Sequence, residues 1–152
     1  MSDDRPVLLC FDGSADAGRA IGAAAALLGV RPAVVLTVWE PMRDLTPLNP
    51  IGDAVGRLSG LYADMDEAGL ELARETAAAG TELAAGHGFA ARPWVRCGAA
   101  AATIERVADE LDAIAVVLGA RGRAATTTML GSVSARVCRH ARHPVLVVPP
   151  AG

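Results

Sequence analysis

Lysine is missing from this chain: all 14 basic residues are arginine. That removes the lysine of a Walker A phosphate loop, of a Schiff-base enzyme and of a receiver domain. Cysteine is scarce. Cys10, Cys97 and Cys138 are an odd number without short spacing, and they read as buried thiols rather than as disulfide, redox or metal positions. No His/Cys pair has metal-ligand spacing. His87 lies in a Gly-His-Gly stop, and His140 and His143 flank a helix end, where a histidine favours the helix dipole. No apolar run reaches the ~18 residues of a membrane span. Met1 to Pro6 is polar and acidic, without the basic and apolar regions of a signal peptide. The expected setting is a reducing cytoplasm. A net charge of -3 offers no bulk attraction to nucleic acid or an anionic membrane.

What is present is apolar: 52% of 152 residues, enough for one domain spanning 1–152 with a buried core. Val7 to Phe11 is an unbroken apolar run ended by Asp12-Gly13-Ser14, as expected of a strand buried on both faces and then a turn. Ala15 to Gly29 reads as an alanine-rich helix stopped by glycine. Ala33 to Trp39 is a second buried strand. Pro41 to Gly60, with three prolines and several glycines, reads as a long irregular loop with room for one helical turn. Leu61 to Ala85 reads as an amphipathic surface helix that Gly69 and Gly80 weaken locally. Ala91 to Arg96 alternates as an edge-side strand would. Thr103 to Leu111 is helical, Ala113 to Leu118 a buried strand, Ser132 to Ala141 helical, and Pro144 to Val148 a last strand. Strict β-α alternation implies a parallel, doubly wound α/β sheet, whose ligands bind beyond the carboxyl ends of the strands at the switch in winding. The strand ends to watch are Asp12 and Gly119.

One constellation carries chemistry. The strand ending at Leu118 leads into Gly119-Ala120-Arg121-Gly122; eight residues follow, and Gly131-Ser132-Val133-Ser134 opens a helix. Glycines allow close backbone approach and positive φ. Successive amides form an anion nest, and the helix start adds free N–H groups and a positive dipole end. Ser132 is a candidate N-cap or phosphate donor, and Arg121 and Arg123 are candidate phosphate partners. Asp12 is also a candidate cap for the turn after the first strand.

These motifs resemble the universal stress protein family, which follows a GxxG with nine residues, a Gly-Ser or Gly-Thr helix start and a PVLVV-like final strand. GARG, GSVSARVCRHARHPVLVVP and the opening VLLCFDGS carry the likeness; VVLTVWEP and WVRCG add to it. The resemblance covers essentially the whole chain and implies a five-stranded sheet of order 3-2-1-4-5, flavodoxin- or Rossmann-like, with helices on both faces. It implies ATP or another adenine nucleotide as ligand. Mg²⁺ or Mn²⁺ would accompany the phosphates, held mostly by water and phosphate oxygens, and with no lysine, no Walker aspartate pair and no general base placed by motif, at most slow hydrolysis is expected. By position, Asp12 with Gly13 corresponds to the ribose or adenine contact and Val38 to the residue whose backbone recognises adenine. Gly119 and Gly122 correspond to the ribose and first-phosphate turn; Gly131, Ser132, Val133 and Ser134 correspond to the outer phosphate site. Val145 to Val148 corresponds to the edge through which such proteins form homodimers. The spacer departs from the family, with eight residues instead of nine, so a shift of the outer Gly-Ser pair by up to ~3.5 Å is expected. A nucleotide-free dimeric interaction module of the same fold is the alternative. A receiver-type switch on Asp12 lacks both its acidic pair and its lysine.

Overall fold

The computed structural model describes residues 3–41, 54–123 and 130–152, with backbone only for 54–59. Five strands, β1 (Val7–Cys10), β2 (Pro32–Trp39), β3 (Ala90–Cys97), β4 (Ala115–Gly119) and β5 (Val145–Val148), alternate with four helices, α1 (Ala15–Leu28), α2 (Ala54–Gly86), α3 (Ala100–Leu111) and α4 (Ser132–His140). All strand pairings are parallel, as the β-α alternation implies, and the order is β3-β2-β1-β4-β5, as the family resemblance implies.

The unbroken apolar strands follow from burial on both faces. Leu8, Val34, Leu36, Val116 and Leu118 face Ile104 and Val107 of α3 and Val137 of α4. Their neighbours Val7, Leu9, Val35 and Val117 face Ala20, Ile21 and Ala24 of α1 and Ala84 of α2. Helices of the first half thus cover one face and those of the second half the other, so the winding reverses between β1 and β4. On the edge strand β3, Trp94 is sandwiched between the guanidinium groups of Arg92 and Arg96, whose carbons lie 5.4 and 4.2 Å from its ring centre.

Several expectations need correction. Helix α2 begins at Ala54, inside the segment read as a loop; residues 42–53 lie outside the described residues. Gly80 is a packing position rather than a mere weak point. A Cβ on Gly80 would stand 2.5 Å from Phe11 Cδ1 and 2.9 Å from Val35 Cγ1, so glycine lets α2 lie directly on the sheet. Helix α3 starts three residues earlier than expected, at Ala100. Strand β4 starts two residues later than expected, because Asp112 takes the left-handed conformation (φ 46°) and turns the chain after α3. Cys97 and Cys138 are exposed, one at the end of the edge strand and the other on the outer side of α4; Cys10 alone is partly buried. Strand β5 is half-buried throughout, because it forms an edge of the sheet. His143 lies beyond α4, with Nδ1 2.9 Å from the Ala113 carbonyl and Nε2 3.0 Å from Asp109 Oδ1.

Candidate functional site

A cleft of about 620 Å³ opens at the carboxyl ends of β1, β2 and β4, where the winding reverses. Asp12, Val38, Gly119, Arg121, Gly122, Arg123, Gly131, Ser132, Val133 and Ser134 all line it. Ten of the eleven residues singled out in the sequence thus converge across the topology. Gly13 does not reach the cleft. Its φ of +84° makes the turn from β1 into α1, a conformation that favours glycine.

The floor and walls come from residues that sequence reasoning passed over: Cys10, Phe11, Leu36, Ala100, Ile104 and Leu118. They are apolar and suit a flat ring. Burial pushes the Cys10 thiol up, so it remains protonated at neutral pH. Above the floor lies the backbone of Val38. The Leu36 carbonyl accepts the Phe11 amide at 2.9 Å, which directs the peptide groups of Leu36 toward β1. Two residues on, Val38 points its N–H and C=O the same way, but β1 has ended at Cys10. The fork of the two strands therefore presents one donor and one acceptor to the cleft. Thr37 fixes that fork by donating its hydroxyl to the Phe11 carbonyl at 2.8 Å.

The 119–123 turn is held by the protein itself. Asp12 Oδ1 accepts the Ser14 amide at 2.9 Å, and Oδ2 accepts the Arg123 amide at 3.1 Å. Asp12 thus does cap its own turn, as one reading of the sequence held, and ties it to the β4 turn as well. A carboxylate has about four acceptor sites, so capacity for a ligand hydroxyl remains. Gly119, Gly122 and Gly131 all lie outside the left-handed region, contrary to the expectation of positive φ. Gly119 and Gly122 are small because neighbours are close. A Cβ on Gly119 would meet the α1 backbone at 2.7 and 2.8 Å, and one on Gly122 would meet Asp12 Oδ2 at 3.1 Å.

Helix α4 starts differently from the sequence reading. Gly131 is the N-cap, and Ser132 is already the first helical residue, so Ser132 does not cap. Ser134 donates its hydroxyl to the carbonyls of Ala120 and Gly131, at 2.9 and 3.1 Å, and the Gly131 amide donates to the Ala120 carbonyl at 2.7 Å. These bonds clamp the helix start onto the turn, with Gly131 seated on Ala120 despite the shorter spacer; residues 124–129 lie outside the described residues. The amides of Ser132, Val133 and Ser134, in the first helical turn, have no intrahelical acceptor. They carry the positive end of the helix dipole to the rim of the cleft.

Arg121 has a partner the sequence did not suggest. Its Nε lies 3.0 Å from Asp16 Oδ2, while Arg19 Nη2 lies 2.9 Å from Oδ1 and 3.1 Å from the Pro149 carbonyl. Asp16 is only 7% exposed. The Arg121 guanidinium, helped by Arg19, holds its carboxyl below the usual carboxylate range. This network joins the start of α1, the β4 turn and the exit of β5. It also commits one edge of the Arg121 guanidinium, so Arg121 is tied to the protein and is not simply a phosphate-seeking cation.

Comparisons with known proteins agree with this architecture. The model of the universal stress protein family matches residues 5–149. Universal stress protein G of Salmonella typhimurium is 46% identical over 54 residues, covering 36% of this chain and 38% of that relative, well short of its full length. The structure of universal stress protein UspA from Lactobacillus plantarum superposes with a TM-score of 0.77 at 20% identity, over 97% of this chain and 99% of that one. A universal stress protein from Archaeoglobus fulgidus in complex with dAMP does so with a TM-score of 0.61 at 23% identity, over 93% and 95%. With its sheet order, its paired glycine turns and a family match over nearly all of its length, this chain belongs to the universal stress protein family.

Proposed function

We propose that the chain binds an adenine nucleotide, ATP first among them, in the cleft between β1, β2 and β4, and works as a regulatory module whose surface changes with occupancy. The observation that carries this reading is the convergence of two kinds of backbone group on one 620 Å³ space: the Val38 peptide over an apolar floor, and the open amides of Ser132 to Ser134 at the rim. The first suits the edge of a purine; the second suits a chain of phosphate oxygens. The fold relative from Archaeoglobus fulgidus seen with dAMP supports the adenine assignment. Mg²⁺ or Mn²⁺ would travel with the phosphates, held by their oxygens and by water. Hydrolysis would be slow at most. The acids nearest the phosphate end, Asp12 and Asp16, are engaged by amides and by arginines rather than set to activate water.

Titration calorimetry and thermal unfolding with ATP test the reading. At a ligand concentration a hundredfold over Kd, binding to the native state adds about 2.7 kcal/mol, which raises Tm by ~5–10 °C in a chain of this size. Gly131→Val should remove the effect. Its Cβ meets the Ala120 carbonyl oxygen at 3.4 Å, an ordinary contact, and the two added methyls crowd the turn and the helix start that border the cleft. No heat and no shift with the folded wild-type protein would defeat the proposal.

A second reading, a nucleotide-free dimeric interaction module, is favoured by one observation: Asp12, Arg121, Ser134 and Gly131 hold the turn through the protein's own hydrogen bonds. It expects a thermal midpoint indifferent to ATP. On either reading the homodimer would form through β5, Val145 to Val148, an edge strand half-buried in the single chain. Sedimentation velocity tests this, and a monomer at tens of micromolar would speak against it.

A further inference from the structure

Helix α2 is longer than the sheet needs. Its 33 residues span about 50 Å, against about 26 Å for the eight residues of β2. Gly80 packs on Val35, and Gly69 packs on the ring of Trp39, the last residue of β2. The helix therefore runs antiparallel to β2, and the residues before Gly69 project past the end of that strand.

This helix also carries apolar surface that nothing in the described chain covers. Leu61, Met65, Leu72 and Leu83 are 54, 40, 50 and 38% exposed. Their spacings of four, seven and eleven residues are close to one, two and three helical turns, so they form a single stripe. The stripe is distinct from the inward face, where Ala73, Ala77 and Ala84 are buried. At its lower end Leu83 borders Gly18 of α1, and Thr76 borders Gly13. Along its outer flank run Asp64, Glu71, Glu75 and Glu82, spaced at seven, four and seven residues and so forming an acidic rail beside the stripe. From Ala54 to Gly86 there are six acids against two arginines. The ion pair Arg74–Glu71, 3.4 Å apart and exposed at both ends, offsets little of that charge.

We propose that the outer face of α2 docks a basic amphipathic helix of a partner protein, with apolar side chains on Leu61, Met65, Leu72 and Leu83 and arginines or lysines along the acidic rail. Charge complementarity selects this occupant. A second copy of this chain would bring the same acids against the rail, and like charges across an interface oppose pairing. No residue of α2 lines the nucleotide cleft, and α2 packs over β2 and β3, away from β5.

The test uses the full chain and a fluorescein-labelled peptide of about 22 residues, the span from Leu61 to Leu83. Its leucines lie at helical spacing on one face with arginines on both flanks. A scrambled peptide of the same composition, and one with glutamates for arginines, serve as controls. Fluorescence anisotropy should show saturable binding of the leucine–arginine peptide alone, weakening as NaCl is raised. Leu72→Asp should weaken it by at least about tenfold. The double variant Glu71→Arg/Glu75→Arg should lose that peptide and gain the glutamate one. Equal binding of the scrambled peptide, or no binding at all, overturns the proposal. So does a wild-type dimer in sedimentation velocity that Leu72→Asp dissolves, since the stripe would then belong to a second copy.

Discussion

Two glycines in the same helix should respond to alanine with opposite signs. Glycine in a helix interior is worth about 1 kcal/mol less than alanine, so on propensity alone both Gly69→Ala and Gly80→Ala stabilise. The structure separates them. A methyl on Gly69 would meet only the Trp39 ring, at 3.6 Å, an ordinary contact, and the expected result is a gain of about 0.5–1 kcal/mol. A methyl on Gly80 would stand 2.5 and 2.8 Å from Phe11 Cδ1 and Cγ and 2.9 Å from Val35 Cγ1. These atoms lie near the roots of their side chains, and Val35 is fully buried in the sheet, so relief requires α2 to lift. Overpacking of this kind costs about 3 kcal/mol at the upper end of its usual range. Set against the propensity gain, Gly80→Ala should lose about 2 kcal/mol, or ~4–8 °C in Tm. Urea unfolding of the wild type and both variants, with m-values compared, measures the two effects. A Gly80→Ala protein as stable as the wild type would refute the packing argument.

Asp16→Asn should destabilise at neutral pH. Because the folded carboxyl titrates below its unfolded counterpart, the contribution is present above the unfolded pKa and lost as pH falls through the folded one. The gap from wild type should narrow between pH 7 and pH 3 in urea unfolding, and a constant gap would rule out the ion pair as its cause. A thiol reagent should label Cys97 and Cys138 quickly in the native protein and Cys10 more slowly, because Cys10 is partly buried on the cleft floor and its thiol is held protonated; equally fast labelling of all three would contradict the described burial. Thr37→Val keeps the shape but removes the donor to the Phe11 carbonyl, and should cost about 1 kcal/mol in the same unfolding assay.

The strands were legible because each is buried on both faces, which leaves runs such as Val7 to Cys10 and Ala115 to Leu118 almost without polar residues. The site was legible where glycine pairs and a helix start stand close in sequence. What stayed hidden depends on distant partners. Asp16 in an alanine-rich helix start looks like an ordinary complement to the helix dipole; its partner Arg121 lies 105 residues away, and nothing local announces the pair. Gly80 likewise reads as a weak point until Phe11 and Val35 are seen against it. The start of α2 was obscured because the residues just before it carry proline and glycine, and local composition outweighed the periodicity that begins at Ala54. Ser132 was a plausible cap by residue type, but Gly131 occupies the capping position, where its amide is taken by the Ala120 carbonyl.

The glycines at the mouth of the cleft divide into those that build the turn and those that border the ligand space, and this division makes the binding proposal separable from the fold. Gly119 belongs to the first group. A Cβ there would meet backbone atoms of α1 at 2.7 and 2.8 Å, so Gly119→Ala must displace the helix start or the strand. It should lower Tm whether or not a nucleotide is present. Gly131 belongs to the second group, with 3.4 Å of clearance and an ordinary helical-entry φ of -63°. Gly131→Val should lower Tm in the absence of ligand by only the ~2–4 °C that about 1 kcal/mol of lost capping costs, and abolish the rise with ATP. If instead both variants unfold early and both still respond to ATP, the amides at the start of α4 are not what holds the phosphates, and the outer half of the cleft has been assigned to the wrong groups.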